Sequence, residues 1–479
     1  MKKQILLCAV FSCLLILFFN SCRKESPRES QINDNKPPVS DAGPDQVITL
    51  PTNSVTVDGS NSSDPDNNIT GYQWTNFSGP SSFDIADANA VQTQVSALVE
   101  GVYEFELKVT DADGLFSKDT IKVIVVFQDS VCNGDSRQMI QARLVPFGKL
   151  SIGRIGIITA ATNNKILFAG GSSYDIDPTG IPVRRIDIYA INSNSWSIKD
   201  LNEYPTWRLD MGIATTNNKV FIAGGGFWGD DIYTNRVDIY NASEESWSSA
   251  SLSEYRTAIT GVSAENKIFF AGGFSFDNSS NYWSNTVDIY DNATNTWTTG
   301  TLSERRGYLS AVHAGNKIYF AGGQKNNGGF LPSDRVDEYD LLTNVWSTST
   351  LQKPLAGLAA ISAGNKVFFA GGQTQSGESG TVEIRDVVTG AISFACIIPR
   401  SGLSAVLKDD KIVFFTGSGS DPRNGTHFEI YDLTTETWYT AVLDKSISGA
   451  AIISVNNIIY VAGGFVNGVG SDQVWKLEF

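Results

Sequence analysis

The sequence predicts an all-β chain dominated by a repeated four-stranded unit, and three observations carry that prediction. First, an apolar strand running into paired glycines recurs. It reads ILFAGG at Gly170-Gly171, VFIAGG at Gly224-Gly225, IFFAGG at Gly272-Gly273, IYFAGG at Gly322-Gly323 and VFFAGG at Gly371-Gly372. A worn copy, VFFTGS, stands at Gly417, and IYVAGG closes the series at Gly463-Gly464. Second, successive copies lie 46 to 54 residues apart, a period at which each unit is one supersecondary block that needs neighbours to bury its faces. Third, a strand ending in tyrosine (Tyr189, Tyr240, Tyr290, Tyr339, Tyr431) is followed seven residues later by tryptophan (Trp196, Trp247, Trp297, Trp346, Trp438).

Within a unit the elements follow in order. In the third copy a small-residue strand, Gly261 to Ala264, leads through the polar turn Glu265-Asn266-Lys267 into the FAGG strand. A variable loop, the tyrosine strand and the tryptophan strand complete four antiparallel strands, since β-branched and aromatic residues alternate between Asn, Gly and Ser turns. Paired glycines allow a close approach that a Cβ would block, and Tyr and Trp supply apolar area between stacked sheets. In copy five both aromatics are replaced, by Arg385 and Ile392, so that unit is expected to pack least well.

Double glycine, Tyr and Trp at fixed offsets resemble the kelch repeat over roughly residues 140–479. The resemblance implies a seven-bladed β-propeller over residues 139–479. The last copy ends at Val474-Trp475-Lys476-Leu477, one strand short, while Leu144 to Leu150 stands before Arg154 as a fourth strand stands before Arg256. The N-terminal segment is therefore expected to complete the last blade and remove the exposed edge at the seam.

The chain starts Met1-Lys2-Lys3, continues with an apolar run from Ile5 to Phe19, and reaches Asn20-Ser21-Cys22. That run is short of the roughly 20 residues a membrane span needs, and with its basic start reads as a secretory signal over residues 1–22. Cys22 after a small residue resembles the lipobox of bacterial lipoproteins, although Phe19 and Asn20 depart from the usual pattern; the resemblance implies lipidation at Cys22 and a membrane-anchored place in the cell envelope. Residues 23–36 read as a solvated tether and 128–138 as a linker. Between them, residues 37–127 carry Ala42-Gly43-Pro44-Asp45, Ser63-Asp64-Pro65-Asp66, Tyr72-Gln73-Trp74 and Val109-Thr110-Asp111-Ala112-Asp113-Gly114. Short alternating strands with a core Trp predict a β-sandwich, and these motifs resemble the PKD domain, an immunoglobulin-like module of secreted and surface proteins. Asp64 and Asp66 offer hard oxygen ligands to Ca²⁺, or simply cap turns.

A net charge of −15 argues against nucleic acid as a partner, which calls for a basic footprint. Of five cysteines, Cys8 and Cys13 fall in the signal and Cys22 is the lipid site, leaving Cys132 and Cys396. A disulfide between them is one reading, although the linker leads to blade seven while Cys396 belongs to blade five; no disulfide framework holds the chain together.

Enzyme readings meet a shortage of parts. The chain has two histidines, His313 and His427, no Tyr–Cys–His constellation of the galactose oxidase kind and no sialidase-type Ser-x-Asp-x-Gly-x-x-Trp box, and no cofactor is implied. Acid–base chemistry on sugars by carboxylates or tyrosine needs no His, so an epimerase- or mutarotase-like activity stays the enzymatic alternative. A basic residue precedes every first strand: Arg154, Arg208, Arg256, Arg306, Lys353, Arg400 and Lys445. In the implied ring all seven surround one channel mouth, where they would either grip an anionic ligand or pair with nearby acids. Ligand contact predicts that Arg256→Ala weakens binding and spares the fold, with Lys353→Ala mattering less; structural pairing predicts the reverse. Loops of the first four copies bring aromatics to the same mouth, including Trp228, Tyr233, Tyr282, Trp283 and Phe330, whereas later copies have short Gly/Ser loops. Arginine with aromatics is the usual make-up of a binding hot spot. The sequence thus reads as a non-catalytic extracytoplasmic binding protein for a carbohydrate or a protein or peptide.

Overall fold

The structure, a computed structural model, describes residues 35–50, 52–80, 82–99, 101–127, 137–173, 181–201, 208–227, 232–276, 281–326 and 329–479. The expected signal, Cys22, Cys132 and Trp228 lie outside the described residues. The front domain is a sandwich of two sheets. One orders Gln46–Leu50, Phe116–Phe127, Gly101–Asp111 and Ile69–Ser78; the other orders Val55–Asp58, Gln92–Ser96 and Asp84–Ile85. Trp74 fills the core at 1 % exposure, and its indole Nε1 donates to the Ala90 carbonyl at 3.1 Å. Asp64 Oδ1 accepts from the Asp66 amide at 2.7 Å and so caps its turn, while Asp66 Oδ2 accepts from the distant Lys36 amide at 2.7 Å. Among the described residues no group of three or more His, Cys, Asp or Glu is placed to hold a metal.

Beyond the linker, seven four-stranded sheets follow one another. The first runs outward as Ile158–Thr162, Lys165–Ala169, Arg185–Ala190 and Ser195–Asp200. The other six inner strands are Gly212–Thr216, Thr260–Ala264, Ser310–Ala314, Ala359–Ala363, Ser404–Lys408 and Ala451–Val455. Each inner strand touches the next, and the seventh touches the first, which closes a ring. Seven apolar clusters lie between neighbouring sheets, one at each junction around this circle. No sheet buries both faces alone, so the stability of the ring resides in these junctions. The seam closes as the sequence led one to expect: Arg143–Lys149 pairs antiparallel with Gln473–Glu478 as the outer strand of blade seven.

The paired glycines are explained by the next blade. Gly224, Gly272, Gly322, Gly371 and Gly463 have φ between +61° and +67°. A Cβ on them would stand 2.3–2.7 Å from the backbone carbonyl oxygen of the linker entering the following blade. The second glycine then donates its amide to that same oxygen, as Gly273 does to Arg306 at 2.9 Å. Gly272→Ala is accordingly expected to cost about 2–3 kcal/mol, combining a left-handed backbone with a forced shift of the neighbouring blade; a thermal melt checks it, and wild-type stability would show that the junction yields. In the worn sixth copy Thr416 takes the first position at φ 60°.

In blades one to four and in blade six the Tyr and Trp rings pack against each other at a tilt, with centroids 4.9–5.2 Å apart. They also bridge outward: Phe221 of blade two meets Tyr290 of blade three at 4.9 Å. Blade five replaces this contact with polar bonds. Arg385 donates to Glu383 at 2.7 Å, to Ser349 Oγ at 2.8 Å and to the Thr350 carbonyl at 2.6 Å, the latter two on blade four, while Ile392 is left 52 % exposed.

Cys396 is disulfide-bonded. The linker does not run straight to blade seven: Gln138–Gln141 first adds in parallel to the outer strand Thr437–Val442 of blade six, and Arg137 donates to the Cys396 carbonyl at 2.6 Å. This route passes Cys396 before reaching the seam.

Candidate functional site at the loop face

The linkers and the loops between second and third strands meet at one end of the ring. Here the structure overturns the reading of the arginines as a ligand-binding ring. Arg154, Arg208, Arg256, Arg306 and Arg400 are 0–2 % exposed, so their guanidiniums present no surface to a ligand. Each meets an acid on the third strand of its own blade: Arg154–Asp187 and Arg306–Asp337 at 2.6 Å, Arg400–Glu429 at 3.0 Å, and Arg208–Asp238 and Arg256–Asp288 likewise. The acid also takes a linker amide, as Asp187 does from Ser151, Asp288 from Ser253 and Asp337 from Ser303, all at 2.8 Å. The pair therefore ties the chain arriving from one blade to the body of the next. Burial pushes the Arg154, Arg208, Arg256 and Arg306 pKa values down, and the paired aspartate pushes them back up by less. Lys353 is buried at the same place in blade five, where Glu383 is the third-strand acid. In blade seven Trp475 replaces the acid, and Lys445 lies over its ring, 5.7 Å from the centroid.

The aromatic loops divide between packing and surface. Trp283 is 7 % and Tyr233 8 % exposed; Phe274 joins them, 5.0 Å from Trp283 and 5.9 Å from Tyr233. Trp283 lies so close over Gly307 that a Cβ there would be 2.4 Å from its ring. These two side chains are bricks of a loop core, not open platforms. Tyr282 is half-buried, with the Arg305 guanidinium 5.5 Å from its centroid. Exposed on the same face are Tyr255 at 56 %, Tyr308 at 37 % and Phe330 at 36 %.

A cavity of 760 Å³ opens where the sequence offers least reason to look, between blades four and five. Leu331 and Pro332 of blade four, Lys353 and Pro354 of the linker, and Thr374, Gln375, Ser376, Gly377 and Glu378 of blade five's short loop line it. Apolar walls facing hydroxyl, amide and carboxylate groups, in a volume typical of small-molecule sites, can hold a polar ligand by one face and its hydrogen-bonding edge by the other. A second cavity, of 360 Å³, is the central channel, bounded by inner-strand residues that include Thr215, Ser263, His313 and Ser362. His313 Nε2 is buried there with no hydrogen-bond partner in the protein. His427, at the start of a third strand, has its pKa lowered chiefly by burial and shares a 2.8 Å contact with Thr426 Oγ1.

A family described as the KLHDC2/KLHL20/DRC7 Kelch-repeats domain matches residues 156–372 and again 258–464. The chain belongs to the Kelch-repeat family. Ahead of its kelch propeller, residues 42–125 match a family described as a PKD domain. Curated relatives include the Dyslexia-associated protein KIAA0319-like protein of Mus musculus, 42 % identical over 95 residues, which are 20 % of this chain and 9 % of that one. The Low-density lipoprotein receptor-related protein 11 of Mus musculus is 45 % identical over 95 residues, 20 % of each chain. This chain thus spans a fifth or less of these relatives' length. Among solved structures, "Structure of YjhT" aligns with TM-score 0.44 and 16 % identity over 58 % of this chain and 95 % of that one. A kelch propeller joined to a PKD domain makes this a binding or interaction protein.

Proposed function

We propose that this kelch protein is a non-catalytic binding lipoprotein of the cell envelope, held to the membrane through Cys22, whose loop face takes a carbohydrate in preference to a protein or peptide. The observation that carries the reading is the 760 Å³ cavity between blades four and five. Its hydroxyl, amide and carboxylate lining against proline and leucine suits a molecule with many hydroxyls and apolar C–H faces. Exposed Tyr255, Tyr308 and Phe330 on the same face extend the surface on which such a ligand can lie. The disulfide at Cys396 supports an oxidising compartment, where such bonds persist.

A glycan array probed with protein lacking residues 1–36 tests this. Retention of a defined glycan, weakened about tenfold or more by Glu378→Ala, is expected, the loss being that of a charge-assisted hydrogen bond. Turnover of a sugar by the wild-type protein would replace the reading with the epimerase- or mutarotase-like alternative.

A further inference from the structure

One residue per blade, two positions before each inner strand, has a left-handed backbone. Four of them are glycines, Gly156, Gly357, Gly402 and Gly449, with φ 62–64°. The other three sit in consecutive blades two to four: Asp210 at φ 51°, Ala258 at 54° and Tyr308 at 51°. Their backbones join blade to blade around the channel mouth. The Ala258 amide donates to the Asp210 carbonyl at 2.9 Å, Tyr308 to Ala258 at 3.2 Å, Gly357 to Tyr308 at 3.1 Å, Gly402 to Gly357 at 2.8 Å and Gly156 to Gly449 at 3.3 Å.

The ring geometry is therefore met by glycine, and with less strain, because a side chain on a left-handed backbone is disfavoured. A bulky aromatic there is an outlier whose strain the surrounding structure must hold. Tyr308 does not offset it by burial, being 37 % exposed, and Asp210 is exposed too. The two are held together across blade three: Tyr308 Oη donates to Asp210 Oδ2 at 2.8 Å. Trp283 meets the Tyr308 ring edge-to-face at 6.2 Å and fixes its attitude.

We propose that Tyr308 and Asp210 form a sugar-binding subsite at the channel mouth, the tyrosine ring stacking on a C–H face and the aspartate accepting sugar hydroxyls. This deepens the carbohydrate-binding reading and rests on it. It separates the residues that face the ligand from Trp283, which only positions one of them.

The experiment measures melting temperature and affinity together, the probe being the neutral oligosaccharide that wild-type protein retains most strongly on the array. Tyr308→Gly is expected to melt at or above the wild-type temperature while its affinity falls at least tenfold. Asp210→Asn, which keeps shape and backbone, is expected to lose affinity several-fold with unchanged melting. Ala258→Gly, at a buried member of the ring, is the control: equal or higher melting temperature and unchanged affinity. Wild-type glycan binding that survives both Tyr308→Gly and Asp210→Asn overturns the subsite while leaving the binding function intact. A wild-type protein that retains no glycan overturns both, and so does one that binds only a protein. A lowered melting temperature in Tyr308→Gly with Asp210→Asn binding normally marks Tyr308 as a packing residue and also overturns the subsite.

Discussion

Arg256→Ala is expected to lower the stability of the propeller by about 3–5 kcal/mol, the range for removing one partner of a buried ion pair. The guanidinium donates to the Gly272 carbonyl at 2.6 Å and the Thr286 carbonyl at 2.8 Å, and to Asp288. Without it, Asp288, 3 % exposed, keeps a charge that neither water nor a cation compensates, and the buried Gly272 carbonyl loses a donor. Removing both partners should cost less than the sum of the single losses, because the double variant buries no orphan charge. Arg305→Ala supplies the contrast one residue from another tie: Arg305 is exposed while Arg306 is buried, so its loss should stay within about 1 kcal/mol. Urea unfolding of the four variants checks the set. An Arg256→Ala protein as stable as wild type would mean that the pair's desolvation cost cancels its gain, and that the ties do not hold the ring.

How legible was this in the sequence? The repeat was, because its signals are local and periodic. Glycine pairs and Tyr–Trp offsets follow from contacts that most blades repeat, and the missing last strand from the antiparallel order within a blade. The same periodicity misled at the arginines. A basic residue at a fixed linker position is what a ligand-gripping ring and a set of structural ties both look like, and only the third-strand acids decide. Those acids recur as regularly: Asp187, Asp238, Asp288, Asp337, Glu383 and Glu429, two residues before the tyrosine position. Reading both periods together would have paired them. Tyr308 and Asp210 were harder to find, since what distinguishes them is a departure from glycine that becomes meaningful only once φ is known. The cavity between blades four and five depends on the packing of two loops and a linker, which no spacing encodes. The route of the linker along blade six, past Cys396, is likewise a tertiary fact.

Deleting residues 144–150 should abolish cooperative folding of the propeller. The deletion removes the outer strand of blade seven, whose pairing runs from Arg143 opposite Glu478 to Lys149 opposite Gln473. It also empties two junctions at once, since Leu144 packs between blades six and seven and Leu150 between blades seven and one. Two buried leucines alone account for about 4–10 kcal/mol, against a total stability of about 5–15 kcal/mol for a typical domain. The exposed ion pairs Arg143–Glu478 and Lys149–Asp472 add little to that sum, so the loss is one of strand and core rather than of charge. What is left is an unpaired edge on Gln473–Glu478, ready to recruit a strand from another molecule. Size-exclusion chromatography and a thermal melt, comparing a chain that begins near residue 136 with the same chain lacking residues 144–150, should show a monomer with a sharp transition against aggregate with a broad or absent one. Equal monodispersity and equal melting temperature would mean that the ring holds without its seam. Stability would then have to reside in the five junctions that the deletion does not touch, with the two flanking blade seven only contacts of convenience.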